Sequence, residues 1–567
     1  MRLPRLSFAL AAGALVVAIA CAVPLARAAT GARRADVVRP VVVAAGPIAD
    51  PSDRAGDGFR RVTFSPDGDG RSDLVTINVR AAEGERLVLQ LRTPGVLRYA
   101  DVGEDDSVGE VSTLTWDGLA PDGHPRAPAS YILRVCSEAP HLCAATRLLV
   151  HLRIASIYTP HAAAVSVGQR LRVDVATDRA GPYTLDLVSA ADSFGSGFGA
   201  RQVARAGWVD YRVPRVPGGG LWLLRFRSGR VVTFFPLVVH QPGIRLDRPP
   251  TGAPLVVYPY ITWRAYNRLD ENRDGVIDSW YAHPRDPVVP LYGPFEVDRR
   301  EGVLQGREAN PGGERAFARW QQAHHLKAEA VTDVELVRLP LSALQRYPAL
   351  VFEGHTEYYE RSTYEKLLRY RAAGGRLYFL QGNAFYGEAR VGRSSVVRLS
   401  YRYRTRARSD FEMAANGFRS CCWPRSLRPV YHLAPRVVEQ LPWLVAGAGL
   451  KGGDAFGVAL GEVDGIDPRL SPRATVRVAS AVVPAFALVG YPRPFGWIGT
   501  HRFRYALSSR HPQRIDIAYA ATGRGEVFSW GDTDFLESID SPAGGLSGRE
   551  RRALDRVALN VWRRFAR

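Results

Sequence analysis

Polar and apolar residues alternate along the first half of the chain, in short segments that turn residues separate. A period of two is typical of half-buried strands, and its repetition at short intervals favours antiparallel β-sandwiches. We therefore predict two N-terminal β-sandwich domains, over residues 56–152 and 153–247. The segments with this pattern are Leu74–Val79, Arg86–Leu91, Glu110–Trp116, Ser130–Val135, Leu171–Val175, Thr184–Val188, Trp208–Val213, Leu221–Phe226 and Val231–Val239.

The pattern changes after residue 253, where short apolar runs alternate with segments of helical period. Leu255–Tyr260, Ala349–Phe352 and Arg376–Leu380 have the character of strands that are buried on both faces. Strands that alternate with helices predict a doubly wound α/β domain, here over residues 248–567, so the protein is multidomain. The predicted helices include Glu314–Leu326, Ser362–Gly374 and Ser547–Phe565. Ser547 and Glu550 have the spacing of a capping box at the start of the last helix.

Polar clusters follow the predicted parallel strands at their carboxyl ends, where α/β sheets bind ligands. His355, Glu357 and Tyr358 come directly after one strand, and Asn383 follows the next. Trp263, Tyr266 and Asn267 follow the first strand of the same domain and are expected to face the same crevice. The substrate crevice predicted here consists of Trp263, Asn267 and Asn383, whereas Glu462 and Asp464 lie in a later GEVDG segment, after another apolar run.

Phenol and carboxylate oxygens are hard ligands, suited to an oxygen-loving metal ion, and His355 or Glu357 could transfer protons. The alternative is a strand-end loop with structural aromatic residues.

A calcium-loop pattern begins at Asp270. Asp270, Asn272 and Asp274 occupy positions 1, 3 and 5, and Gly275 stands at position 6. The remaining ligands would be the Val276 carbonyl and Asp278, whereas position 12 is Tyr281 instead of the expected acid. The sequence predicts a weaker, structural calcium site, with a plain acidic turn as the alternative.

The N-terminal residues are typical of an export signal. Arg2 and Arg5 precede the apolar segment Phe8–Val23, and a small-x-small cleavage site predicts a mature chain that begins after Ala28. A lipid anchor on Cys21 is the alternative. Residues 29–55 are interpreted as a linker, and no later apolar run is long enough to span a bilayer.

Export permits disulfide bonds in the mature chain. Cys136 and Cys143 are close enough in sequence to close a hairpin, so we predict a disulfide between them. The adjacent Cys421 and Cys422 could form a vicinal bridge or remain two thiols.

The formal net charge is +19, and arginine supplies almost all of the cations. These arginines are scattered along the chain, which favours a solvated basic surface. Attraction to an anionic cell-envelope polymer is the alternative. No nucleic-acid recognition module is evident, and export argues against that class of partner.

The first predicted sandwich resembles a known module. The segments FSPDGDGRSD, TWDGLAPDG and APASYILRV, within Phe64–Leu152, resemble the immunoglobulin-like modules of the flagellar hook-capping type. The resemblance implies a spacer or docking module. Asp67, Asp69 and Asp73 of the first segment either bind a cation or cap a tight turn.

The C-terminal half resembles the large (beta) subunit of N,N-dimethylformamidase over Pro254–Arg567. The segments that carry the likeness are YPYITWRAYN, FEGHTEYYERSTYEKLLRYRAAGGRLYFLQGNAFYGE, GEVDG and GRGEVFSWGDTDF. This resemblance implies a glutamine-amidotransferase-like fold and a mononuclear iron, or a similar divalent or trivalent ion, held by tyrosine and glutamate oxygens. The matching positions are Tyr358, Tyr266 with Tyr386 as the alternate, and Glu462.

Two functional hypotheses follow. The first is an exported metal-dependent hydrolase of an amide-like C–N bond, acting on a small amide, with a second subunit as in the resembled family. Because no glycine-flanked Cys or Ser stands on a strand–helix turn, serine and thiol hydrolase mechanisms are disfavoured. The second is a non-catalytic, polymer-binding surface protein with a calcium-stabilised α/β domain.

Overall fold

The computed structural model describes residues 41–567 with gaps. The residues outside the description are 1–40, 47–59, 65–74, 82–83, 94–98, 107–110, 119–129, 139–141, 153–155, 160–162, 177–181, 193–194, 205–206, 229–230, 241–251, 268–279, 281–286, 294, 296, 299–302, 305–310, 386, 402–418, 423–434, 456–462, 467–470, 484–512, 533–534 and 541–545. The chain divides into two units, Met1–Val38 and Arg39–Arg567, and the described residues all belong to the second. Among them, no helix combines the length and apolar character needed to cross a membrane.

Several sequence predictions therefore fall outside the described residues. They are the export signal with Cys21, the Asp67–Asp73 cluster, the calcium loop Asp270–Asp278, and the candidate ligands Tyr386 and Glu462.

The first sandwich consists of a three-stranded sheet, β1-β3-β6, and a five-stranded sheet, β2-β8-β7-β4-β5. Its inward-facing residues alternate with exposed ones, as in Ser112–Trp116, and the rings of Trp116 and Tyr131 pack edge to face, 5.4 Å apart. Cys136 and Cys143 form a disulfide between neighbouring strands. The strands are β1 Val41–Gly46, β2 Arg60–Phe64, β3 Val75–Arg80, β4 Arg86–Arg92, β5 Ala100–Asp106, β6 Ser112–Trp116, β7 Ser130–Ser137 and β8 Cys143–Leu152.

The segment predicted as a linker, residues 29–55, contains a strand of this sandwich. Strand β1 pairs antiparallel with β3 from Val41 to Gly46. The apolar run VVVAA has the β propensity for such a strand, although the surrounding Ala, Pro and Arg residues hide it in the sequence.

The second sandwich pairs the sheet β14-β11-β9 with the sheet β10-β16-β15-β12-β13. Arg225 and Asp186 form a buried bidentate ion pair across β15 and β12, with N–O distances of 2.8 and 2.7 Å. The strands are β9 Ser156–Tyr158, β10 Ala164–Ser166, β11 Arg170–Ala176, β12 Tyr183–Ser189, β13 Phe198–Val203, β14 Gly207–Arg212, β15 Gly220–Ser228 and β16 Val231–His240.

The described residues of the remaining chain form four sheets, of which the three smaller ones are β18-β26-β25-β23, β19-β20 and β27-β29. The largest is an eight-stranded sheet of order β21-β17-β22-β24-β32-β31-β30-β28. Its first five strands are parallel and the other three are antiparallel. The strands are β17 Leu255–Tyr258, β18 Val288–Pro290, β19 Val297–Asp298, β20 Val303–Leu304, β21 Glu329–Thr332, β22 Ala349–Phe352, β23 Tyr358–Glu360, β24 Arg376–Phe379, β25 Gly387–Val391, β26 Ser395–Tyr401, β27 Arg419–Cys422, β28 Arg436–Val437, β29 Val463–Gly465, β30 Thr475–Val483, β31 Gln513–Thr522 and β32 Gly525–Ser529.

Helices pack on both faces of this sheet. Helix α5 contributes Tyr364, Leu367 and Tyr370 to one apolar cluster, whereas α2 and α8 contribute Phe317 and Trp562 to another. The helices are α1 Tyr260–Tyr266, α2 Pro311–Ala323, α3 Asp333–Arg338, α4 Leu341–Leu344, α5 Arg361–Ala372, α6 Pro442–Val445, α7 Phe535–Asp540 and α8 Gly548–Phe565. A parallel sheet with helices on both faces is the doubly wound arrangement.

One hydrophobic cluster includes residues of both the second sandwich and the α/β region. Leu223 and Phe235 belong to it together with Val351 and Trp562. The two predicted domains therefore share a continuous apolar core.

Candidate functional site at the strand ends

The segments that follow β17, β22 and β24 lie side by side, because these strands are neighbours in the parallel part of the sheet. They contain most of the residues predicted from the sequence, and all of those described are buried, with exposed fractions of 4% or less. These are Trp263, Tyr266, Asn267, His355, Glu357, Tyr358 and Asn383.

A phenol, a carboxylate and an imidazole meet at one point of this site. The Tyr266 hydroxyl donates a hydrogen bond to Glu357 Oε2, and His355 Nε2 lies 3.9 Å from the same oxygen. The rings of Tyr266 and His355 stack with their centroids 5.9 Å apart. Residues separated by about 90 positions in the chain thus provide oxygen and nitrogen donors to one small volume.

Tyr358 lies beside this group with its ring packed against aromatic neighbours. Its ring centroid is 4.8 Å from that of Trp280 and 6.2 Å from that of Tyr266. The backbone N–H groups of Glu357 and Tyr358 donate to Thr262 Oγ1 over 3.1 and 3.2 Å. Thr262 therefore fixes the loop that presents both side chains, and the sequence patterns did not single it out.

Asn383 is held by an unusual backbone conformation and by a buried acid. Its φ of 53° lies in the left-handed region, which asparagine tolerates better than most residues. Its backbone N–H donates to both carboxylate oxygens of Asp464 over 3.0 Å. Asp464, in the GEVDG segment, thus positions Asn383, whose side-chain amide lies 3.4 Å from His355 Nε2.

A buried pair of glutamates lies behind His355 and extends the site beyond the sequence predictions. The indole N–H of Trp263 donates to Glu314 Oε1 over 2.8 Å. Burial raises the pKa of Glu314 to about 7. Burial, and then the negative charge of Glu314, raise the pKa of Glu353 well above its ordinary value.

Gly354 separates Glu353 from His355 and allows Glu314 to approach closely. It has a φ of +69°, and an added Cβ would lie 2.7 Å from Glu314 Oε1. Both oxygens of Glu353 and Oε2 of Glu314 are buried, and no side chain among the described residues donates a hydrogen bond to them. Glu353 directly follows β22, so its strand-end position was a usable sequence signal, whereas Glu314 in α2 resembled an ordinary first-turn acid.

The donors at this site fit part of a metal site that prefers oxygen. Tyr266 and Glu357 already bring a phenol and a carboxylate oxygen together. Among the described residues, no group of three His, Cys, Asp or Glu side chains is arranged to hold a metal ion. A complete protein ligand set would therefore need tyrosine oxygens, or Glu462 from outside the described residues.

Asn267 lies at the edge of this constellation. It is buried, and its backbone N–H closes helix α1 by donating to the Arg264 carbonyl over 3.2 Å. The structure thus places Asn267 after the first strand, as predicted, where its backbone caps the end of α1.

Fold and site together define an α/β protein with a buried polar site at the carboxyl ends of its parallel strands. The chain belongs to the family described as N,N-dimethylformamidase beta subunit-like, C-terminal, whose sequence model matches residues 200–547. The predicted family resemblance is confirmed, although the match begins inside the second sandwich and not at Pro254.

Other comparisons add little to the family match. No curated protein matches the chain. The biofilm associated protein BSP domain matches at 10% identity, over 32% of this chain and 29% of that one, with a TM-score of 0.13. The titin I9–I11 tandem matches at 8% identity, over 32% and 63%, with a TM-score of 0.16. This chain thus spans under two thirds of either structure, and the sandwich assignment rests on its own sheets.

Proposed function

We propose that this protein is an exported, metal-dependent hydrolase that cleaves an amide-like C–N bond in a small amide. Family membership supports the reaction class, and the export pattern at the N-terminus supports the location. The finer fold assignment, a glutamine-amidotransferase-like domain, belongs to the same proposal, as does a second subunit. The proposal depends on one observation, the convergence of Tyr266, Glu357 and His355 in a buried strand-end site.

Tyr266 and Glu357 would hold the metal, iron or another divalent or trivalent ion. The sequence adds Tyr358 and Glu462, with Tyr386 as the alternate, as further oxygen ligands. When bound, such an ion polarises a carbonyl group and lowers the pKa of water. Glu357, which the sequence suggested as a proton carrier, is better suited to the ligand role because the Tyr266 hydroxyl contacts its carboxylate directly.

His355 then remains as the group that transfers a proton. A neutral imidazole accepts the proton of an attacking water and can return it to the leaving amine. The Asn383 side-chain amide lies 3.4 Å from His355 Nε2, and the role of that nitrogen depends on the tautomer of the ring. We assign the neutral tautomer with Nε2 unprotonated, which is the state that a base needs. The Asn383 amide is also a donor that can orient the oxygen of a bound amide.

Burial of the site favours this chemistry. His355 and Asn383 are 2% and 4% exposed, so bulk solvent is kept away from them and electrostatic interactions are strengthened. The site is enclosed by aromatic rings, including those of Tyr266, Tyr358 and Trp280. A small, weakly polar amide suits such a lining better than a large charged substrate does.

The test is a hydrolysis screen of the full-length mature chain with small formamides and acetamides, measured as amine release. We expect turnover with at least one N-alkyl amide and at least a hundredfold loss of kcat in His355→Ala, about the size of a lost general base. His324→Ala, which removes a histidine that contacts Asp555 at a different place, is the matched control. Absence of hydrolysis by the metal-loaded chain would favour the non-catalytic surface protein. Equal rates in the two variants of an active chain would exclude His355 as the general base.

A further inference from the structure

A surface pocket of about 570 Å³ lies between helix α8 and the loop that follows α6. Four arginines of α8 line it, namely Arg549, Arg552, Arg556 and Arg563. All four are exposed. The loop around Gly447 and Gly449 also lines the pocket, as does His324.

The four arginines share one stripe of the helix. Positions 549, 552, 556 and 563 fall within an arc of about 60° at 100° per residue, and the stripe runs for about 21 Å along the axis. Gly447 has a φ of +71°, and a Cβ added there would lie 3.5 Å from Arg556 Nε. The positive φ favours glycine at this turn, and the loop lies close to the Arg556 guanidinium group.

The positive charge of the pocket is almost uncompensated. Its only acidic lining residue is Asp555, whose Oδ1 already contacts His324 Nε2 at 2.7 Å and the Trp320 indole N–H at 2.8 Å. None of the ion pairs recorded among the described residues includes the four arginines. Arg549 donates only a long hydrogen bond, 3.4 Å, to the Gly449 carbonyl.

We propose that this pocket binds a linear polyanion whose charged groups are phosphates. A stripe about 21 Å long is too extended for one small anion, since a phosphate spans only about one helical turn. Arg552 and Arg556 are one turn apart, about 6 Å between their Cβ atoms, so one tetrahedral phosphate can accept hydrogen bonds from both guanidinium groups. A planar carboxylate has only two oxygens, which one guanidinium fork satisfies.

The site is independent of the proposed amide chemistry, because its residues lie on α8, in the loop after α6 and at His324, which directly follows α2. It gives part of the +19 charge a specific role. Two sources supply the required chemistry: free polyphosphate, and an envelope polymer with phosphodiester links.

The experiment measures binding of the full chain to linear polyphosphate, poly(glycerol phosphate), inorganic phosphate and poly-L-glutamate by calorimetry. We expect one or both phosphate polymers to bind at least tenfold more tightly than phosphate ion or polyglutamate, and the preferred polymer identifies the source. With four contacts, the logarithm of the affinity should fall with the logarithm of salt concentration with a slope of about 3.

The variant Arg552→Glu/Arg556→Glu should lose at least tenfold in affinity, and Arg552→Gln/Arg556→Gln should lose less. Arg346→Glu/Arg369→Glu, which changes two exposed arginines elsewhere by the same net charge, should bind like the wild type. Circular dichroism checks that α8 is intact. Equal loss in the two charge-reversal variants, or equal binding of polyglutamate and the phosphate polymers, would overturn the proposal.

Discussion

Replacing Glu314 by glutamine removes an ionisable group from behind the candidate site while its shape is kept. Glutamine Oε1 can still accept the hydrogen bond from the Trp263 indole, and the new amide group replaces an oxygen to which no described side chain donates a hydrogen bond. The variant therefore isolates the cost of the buried charge. Loss of the Glu314 charge also lowers the pKa of Glu353, because the negative charge that disfavours ionisation of Glu353 is removed.

Burial raises the pKa of Glu314 from 4.5 to about 7. Below pH 4.5 the carboxyl is protonated in the folded and unfolded chains alike, so its burial adds no pH dependence. Between pH 4.5 and 7 the unfolded chain loses its proton first, so the free energy of unfolding falls as the pH rises. At about 1.4 kcal/mol per pKa unit, the free energy of unfolding is lower than its value at low pH by about 1 kcal/mol at pH 5 and about 3 kcal/mol at pH 8.

The assay is urea unfolding at pH 5 and pH 8, followed by tryptophan fluorescence. Glu314→Gln should be more stable than the wild type, and its advantage should grow by about 2 kcal/mol between the two pH values. Glu365→Gln, at an exposed position of α5, is the matched control and should change stability by less than about 0.5 kcal/mol at either pH. An advantage that is equal at both pH values, or a loss at pH 8, would refute the reasoning.

Three further predictions concern the supports of the site and the first sandwich. Asn383→Gly should keep the circular dichroism spectrum of the wild type, because glycine adopts a φ of 53° easily. The variant should nevertheless have a kcat that is lower by about tenfold or more, and full activity would contradict a role for the side-chain amide. Thr262→Val should destabilise the chain by about 1–3 kcal/mol in urea unfolding, since two backbone N–H groups lose their acceptor. Thr262→Ser keeps the hydroxyl group and should destabilise the chain less. Equal effects of the two variants would exclude the hydroxyl group as the cause. Cys136→Ser/Cys143→Ser should lower the free energy of unfolding by about 2 kcal/mol relative to the oxidised wild type, measured by calorimetry. The reduced wild type should lose the same amount; an unequal loss would show that the serine side chains, and not the missing disulfide, cause the effect.

Local periodicity predicted much of the fold. The alternation in segments such as Arg86–Leu91 reflects a sheet with one buried face, and β4 occupies residues 86–92. Ala349–Phe352 was predicted as a buried strand, and β22 has these bounds. The capping box at Ser547 and Glu550 likewise predicted the start of α8, where each side chain accepts a hydrogen bond from the other's backbone N–H.

The antiparallel extension of the large sheet is less visible in the sequence. Strands β28 and β30 join the sheet through pairings between separated segments, and no local pattern specifies such a register. Strand β31, by contrast, pairs with β32 in a hairpin that turns at Gly523 and Arg524. The shared core between the second sandwich and the α/β region has the same origin, since tertiary packing alone brings Phe235 near Phe295.

The candidate site was predicted in part for a topological reason. Parallel neighbouring strands place their carboxyl ends together, so Tyr266, His355 and Asn383 could be grouped from their strand-end positions. The pairing of Tyr266 with Glu357, and the support from Thr262 and Asp464, depend on side-chain directions that a sequence does not contain.

Metal content of the purified full chain tests the central claim most directly. Elemental analysis after dialysis should find stoichiometric iron or another transition metal in the wild type, and loss of that metal in Tyr266→Phe and Glu357→Gln. Tyr370→Phe should retain the metal, because it alters a buried tyrosine whose hydroxyl group donates a hydrogen bond to the Tyr347 carbonyl. A metal-free wild type that also fails to take up added iron or zinc, or equal metal in Tyr266→Phe and Tyr370→Phe, would contradict the account.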